Sequence, residues 1–247
     1  MWMQVLGAAG FPVVGEEFPR DWARISARNP RGFFESSLRE GINFTTNPDP
    51  LSGARLLPDG TQDCAVKIFH RGLPRTERIW LDRVLVTVRD WRSYTASILR
   101  FEAHERATFD DTRDPVRVDP AVEWLRENLL TLRDLAARRY PCRFVTREAT
   151  LADPAAVIGA TLAWVGGAFD LAAAVGAVEP SLGTPASLTP PWVPPSEAAV
   201  YDAFYAAVVD GKPLRVLAEM QDLEAEIAAH PSRHRARASA YAGGLPI

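Results

Sequence analysis

Apolar residues along this chain fall into two alternating kinds of run. Short, nearly continuous ones occur at residues 11–14 (Phe-Pro-Val-Val), 65–69 (Ala-Val-Lys-Ile-Phe), 83–88 (Arg-Val-Leu-Val-Thr-Val) and 143–146 (Arg-Phe-Val-Thr). Runs of this kind, bounded by charge, glycine or proline, predict buried strands, with Pro12 suited to an edge or a first strand position. Elsewhere the period is helical. Residues 2–8 read as an apolar helix closed by Gly10. Val122, Leu125, Leu129, Leu132 and Leu135 mark one helical face running to Arg139, with Asp119 as N-cap and Pro120 at the first helical position. Asp153 and Pro154 repeat that device for a helix carrying Val157, Ile158, Leu162 and Trp164, stopped by Gly166. Residues 168–178 predict a further short helix. Strands alternating with helices predict an α/β fold, a parallel sheet flanked by helices.

The last quarter of the chain breaks this rhythm. Residues 184–195 hold five prolines, which forbid a regular helix and predict a stiff connector. Beyond it, Ser196 caps a helix with Val200, Phe204 and Val208 on one face, ended by Gly211, and residues 214–229 form a charged amphipathic helix. The expected organisation is an α/β domain over residues 1–183, the proline-rich connector 184–195, and a helical extension 196–247 packed on the same domain. Its tail carries Arg233, His234, Arg235 and Arg237 and reads as a solvated terminus. Residues 15–60, rich in charge, proline and glycine, are expected to form a lid or substrate wall.

With 247 residues and 47% hydrophobic content the chain can bury a substantial core. Lys+Arg at 28 against Asp+Glu at 31 gives a net charge of -3, so nothing in the bulk charge favours nucleic acid or an anionic membrane as a partner. Cys64 and Cys142 lack the spacing of a disulfide framework or zinc site, and His104 and His230 have no partners at ligand spacing. No metal is expected. There is no apolar run of about 18 residues and no signal-peptide pattern. Neither a membrane span nor export is therefore expected, and a cytoplasmic location follows.

One junction carries candidate chemistry. The run 83–88 ends in Arg89 and turns into a helix with Ser97 eight residues on. The carboxyl ends of parallel strands are where such sheets bind ligands. Eight helical residues put Ser97 roughly 80° around from Arg89, so a long guanidinium and a hydroxyl can grip one phosphate. The same junction also fits an ordinary surface pair between Arg89 and Asp90.

Arg89 to Ser97 resembles the 3′-phosphate element of sulfotransferases that use 3′-phosphoadenosine 5′-phosphosulfate (PAPS). Further stretches resemble a bacterial branch of that family, in the family's order. They are residues 3–14, Asn29-Pro-Arg-Gly-Phe-Phe-Glu35, Thr146-Arg-Glu-Ala-Thr-Leu-Ala-Asp-Pro154 and Val178-Glu-Pro-Ser-Leu182. Together they span most of residues 3–205. The resemblance implies a P-loop NTPase-like fold and sulfuryl transfer from PAPS to a hydroxyl or amine of a small molecule or glycan. It also implies a cofactor site at Arg89 and Ser97. The sequence departs from the family in one respect. It has no Gly-rich phosphate loop of the Pro-Arg-Ser-Gly-Thr-Ser type, and Met1 falls within the helix that follows that loop in the family.

Such a transfer needs positive charge on the leaving oxygen and a base for the acceptor. Lys67 lies within an apolar run, where an unpaired ammonium is costly, so it is expected to face a ligand or an acid. Glu35 and His70 are the candidate bases; Glu35 is also placed to pair with Arg31 or Arg39. Trp91, next to Arg89-Asp90, is a candidate wall for the adenosine. The competing expectation is a non-catalytic, nucleotide-binding homologue. An unrelated P-loop kinase ranks last, because it too needs the loop.

Overall fold

The computed structural model describes residues 1–17, 31–50, 53–61, 63–109, 119–180 and 189–231. The chain is mixed α and β, predominantly helical, with small parallel sheets. It divides into two compact units interleaved along the sequence. One comprises Met1–Val86, Ala137–Arg143 and Ala149–Leu182, the other Thr87–Ala136, Phe144–Glu148 and Gly183–Ile247.

The first unit begins with helix α1 (Trp2–Ala8), which buries Trp2 and Val5. Gly10, at φ +105°, turns the chain into β1 (Val13–Val14), which pairs in parallel with β2 (Ala65–Val66) through Val13 against Ala65 and Val14 against Val66. The Ala65 N–H also donates to the Pro12 carbonyl at 2.8 Å. The predicted strand 65–69 is cut short at Val66. Phe69 leaves the ladder and donates its N–H to the Arg39 carbonyl at 2.8 Å, and a 3-10 turn follows at His70–Arg75. That turn seats closely on another at Ser37–Glu40. A Cβ on Gly72 would lie 2.6 Å from the Arg39 carbonyl oxygen, so only glycine fits. Buried Thr76 completes the join, accepting from the Ile42 N–H at 3.1 Å and donating to the Gly72 carbonyl at 3.0 Å.

Helices α5 (Pro154–Val165) and α6 (Leu171–Gly176) pack on one another, and α6 packs on α1. Asp153 and Asp170 cap them, each accepting from the backbone N–H three residues on.

Strands β3 (Val84–Val88) and β4 (Cys142–Thr146) form the other sheet, where the Val84 N–H donates to the Pro141 carbonyl at 2.9 Å. β4 runs directly into α4 (Arg147–Ala152), a short helix that the hydrophobic pattern did not predict.

The second unit is built on α2 (Trp91–Phe109), α3 (Pro120–Arg138), α7 (Pro195–Val209) and α8 (Leu217–Ala229). Their shared core is aromatic. Trp91 meets Tyr201 edge-on at 5.2 Å between centroids, and Trp124 meets Tyr201 at 5.8 Å and Phe204 at 5.4 Å. Leu125, Leu129 and Leu132, on the face of α3 that the sequence predicts, are fully buried, as are Met220 and Ile227 of α8. Asp119 caps α3, accepting from the Ala121 N–H at 2.9 Å, while its other oxygen accepts from the Trp192 indole at 2.8 Å. α7 and α8 pack together, joined by a 3-10 turn at Pro213–Val216. The helix expected to be capped by Ser196 instead starts at Pro195, whose missing N–H is no loss at a first helical position.

Candidate functional site

Glu35, Lys67 and His70 belong to the first unit, Arg89 and Ser97 to the second. Glu35 is fixed by its backbone before its side chain matters. Its N–H donates to the Glu16 carbonyl at 3.1 Å and its carbonyl accepts from the Glu16 N–H at 2.9 Å, forming an isolated antiparallel bridge. The fold-back needs Gly15, at φ +131°, because a Cβ there would lie 2.9 Å from the Phe34 carbonyl oxygen.

The Glu35 residue is only 3% exposed, and its carboxylate meets the Lys67 ammonium. Lys67 leaves the chain immediately after β2 and donates to Glu35 Oε1 and, at 3.1 Å, to the Phe33 carbonyl. Glu35 Oε2 lies 3.8 Å from the Arg39 guanidinium and is buried without a hydrogen bond. Of the two arginines that sequence set against Glu35, Arg39 is the ion-pair partner. Arg31 donates to the Ala177 carbonyl at 2.8 Å. The apolar-run lysine therefore does face an acid, as its cost of burial required.

His70 opens the 3-10 turn at His70–Arg75. Burial disfavours its imidazolium and lowers its pKa to about 4. At neutral pH the ring is uncharged, a proton acceptor of low basicity.

In the second unit, Arg89 follows the last residue of β3. Its carbonyl accepts the Trp124 indole N–H at 2.9 Å, while Nε and Nη2 of its guanidinium are buried and make no hydrogen bond among the described residues. Asp90 is not its surface partner. Asp90 Oδ1 caps α2, accepting from the backbone N–H groups of Arg92 and Ser93 at 3.0 Å each, and its Oδ2 lies 3.9 Å from Arg92. Arg92 grips Asp202 with both nitrogens, at 2.6 and 2.9 Å. Burial lowers the Arg89 pKa, and the charges of Arg147 and Arg100 lower it further against the opposing pull of Glu148 and Asp90. Ser97 is half-buried on α2.

Arg100 and Arg147 are the residues that sequence reasoning missed. The signal for Arg100 was present. It lies three residues after Ser97, on the same face of α2. Arg147 stood inside the stretch resembling the family but was given no role. Trp91 is not an adenosine wall: it is fully buried against Tyr201, and its indole donates to Asp202 at 2.8 Å. Ser181, Asn29, Pro30 and the basic tail lie outside the described residues.

Among the described residues no three His, Cys, Asp or Glu side chains gather as metal ligands, and no helix is long and apolar enough to cross a membrane. No protein-family model, curated protein or solved structure matches the chain.

Proposed function

We propose that this chain is a PAPS-dependent sulfotransferase with a P-loop NTPase-like fold, acting on a hydroxyl or amine of a small molecule or glycan. The observation that carries the reading is Arg89. A guanidinium directly after a strand, with buried N–H donors that have no acceptor among the described residues, is an arrangement suited to an anionic ligand. The resemblance of the ordered motifs supports reading that anion as the 3′-phosphate of the nucleotide, with the Ser97 hydroxyl as a second donor. A reducing cytoplasm suits Cys64 and Cys142, which are both free thiols.

The chemistry assigned to the first unit follows from its residues. Transfer forms a bond from the acceptor oxygen or nitrogen to sulfur and breaks the bond from sulfur to the phosphate oxygen, releasing adenosine 3′,5′-bisphosphate. The acceptor's proton passes to Glu35 Oε2, which is free of hydrogen bonds, or to the neutral ring of His70. Lys67 supplies positive charge to the departing phosphate oxygen. No step requires a metal.

A second reading has its own support: Lys67 donates to Glu35 Oε1, so the candidate cation and a candidate base are engaged with one another. Under it the chain binds the nucleotide and transfers nothing. Incubation with sulfur-labelled PAPS and a panel of hydroxyl and amine acceptors separates the two. Labelled product that disappears in Glu35→Gln or in His70→Asn supports transfer and identifies the base. Tight nucleotide binding with no labelled product supports the second reading.

A further inference from the structure

Arg89, Arg100 and Arg147 form a group of like charges in the second unit. Two of the three, Arg89 and Arg100, bury guanidinium nitrogens that make no hydrogen bond among the described residues: Nε and Nη2 of Arg89 and Nη2 of Arg100. A protein seldom buries a charged donor without an acceptor, and more rarely beside further positive charge. The geometry suits convergence. Arg89 and Arg147 each directly follow the last residue of neighbouring strands, β3 and β4, and Arg100 stands on α2 three residues after Ser97, on the same helical face. The charges of Arg147 and Arg100 are felt at Arg89.

The acids whose charges act on Arg89 are Asp90 and Glu148. Asp90 caps α2 beside Arg92, and Glu148 Oε2 accepts the Tyr205 hydroxyl at 2.7 Å, while Glu148 Oε1 is buried without a hydrogen bond. Three guanidinium groups against these two carboxylates leave positive charge and unused donors.

We infer that Arg100 and Arg147 join Arg89 and Ser97 in a binding site for a phosphate monoester dianion, so that the site takes a doubly charged, multidentate anion. For the nucleotide's 3′-phosphate this rests on the proposed function; the same chemistry also takes inorganic phosphate. The charge of Glu148 opposes those of Arg100 and Arg147 at Arg89, and a bound dianion would supply acceptors to the buried donors.

The test uses the full chain and its Arg89→Gln, Arg100→Gln and Arg147→Gln variants, titrated calorimetrically with inorganic phosphate and with adenosine 3′,5′-bisphosphate, alongside melting curves without ligand. Each glutamine variant is expected to bind inorganic phosphate about tenfold more weakly or worse, as loss of a charged hydrogen-bond donor implies. Its ligand-free melting temperature stays level or rises, because repulsion is relieved; a merely structural arginine would give a lower one. Arg100→Lys and Arg147→Lys, which keep the charge but not the fork, should bind at intermediate strength and guard against a variant that fails to fold. Phosphate binding unchanged in Arg100→Gln and Arg147→Gln, or no phosphate binding by the unaltered chain, overturns the inference. Nucleotide binding that depends on Arg89 alone would leave the proposed function standing without it. Arginine-dependent phosphate binding with no preference for the nucleotide would keep the anion site and remove the sulfotransferase reading.

Discussion

The Trp124 indole donates its N–H to the Arg89 backbone carbonyl at 2.9 Å, so the core of the second unit holds the residue after β3 from behind. Trp124 stacks edge-on against Tyr201 and Phe204, and its ring is fixed by packing before it makes that bond. The position of Arg89 is thus inherited from α3 and α7. Trp124→Phe keeps much of the packing and removes the donor. It should cost about 1–2 kcal/mol, from one hydrogen bond and the lost ring volume, and weaken adenosine 3′,5′-bisphosphate binding severalfold. Chemical denaturation and calorimetry on the same sample check both effects.

The Lys67–Glu35 pair makes a different forecast. Removing Lys67 leaves a buried carboxylate paired with the Arg39 guanidinium at 3.8 Å but without its hydrogen-bonded ammonium. Because Lys67 itself is about a third exposed, Lys67→Met should destabilise by about 1–3 kcal/mol, less than a fully buried pair would. Adding Glu35→Gln should recover a large part of that loss, and a double-mutant cycle by urea unfolding measures the coupling.

His70 sets a pH dependence. Its folded pKa, about 4, lies below the ordinary histidine value near 6.5, so the unfolded chain takes up the proton first. The contribution is complete above the ordinary value and is lost as pH falls from about 6.5 to about 4, on the order of 3 kcal/mol in all. Unfolding free energies measured across that window should fall less steeply in His70→Asn than in the unaltered chain.

Asp119 tests how α3 begins. It serves the Ala121 N–H with one oxygen and the Trp192 indole with the other, so Asp119→Ala should cost about 1–3 kcal/mol, more than a simple cap. Asp119→Asn, able to keep only part of this, should fall between. Thermal melts rank the three proteins.

Local signals were the legible ones. Asp119-Pro120 and Asp153-Pro154 mark helix starts because capping is decided within a few residues, and the apolar stripe of α3 became a buried face for the same reason. Lys67 was readable as a cation in need of an acid, yet Glu35 stands 32 residues away and meets it through a fold-back on Glu16 that no periodicity encodes. Strand β2 stops at Val66 although Ile68 and Phe69 are apolar, because Phe69 bonds to Arg39 instead of to the ladder. Trp91 suggested a ligand wall from its place beside Arg89, whereas α7 supplies Tyr201 and Asp202 to bury and bind it. Arg147 joined Arg89 through tertiary structure alone, from the far end of β4.

The unsatisfied guanidinium of Arg89 is probed most directly by calorimetric titration with adenosine 3′,5′-bisphosphate against adenosine 5′-monophosphate. The two differ by the phosphate that Arg89 and Ser97 are proposed to hold. The expected result is a clear preference for the bisphosphate, about tenfold or more, which collapses in Arg89→Gln. Equal binding of the two nucleotides, or a preference that survives in Arg89→Gln, would contradict it.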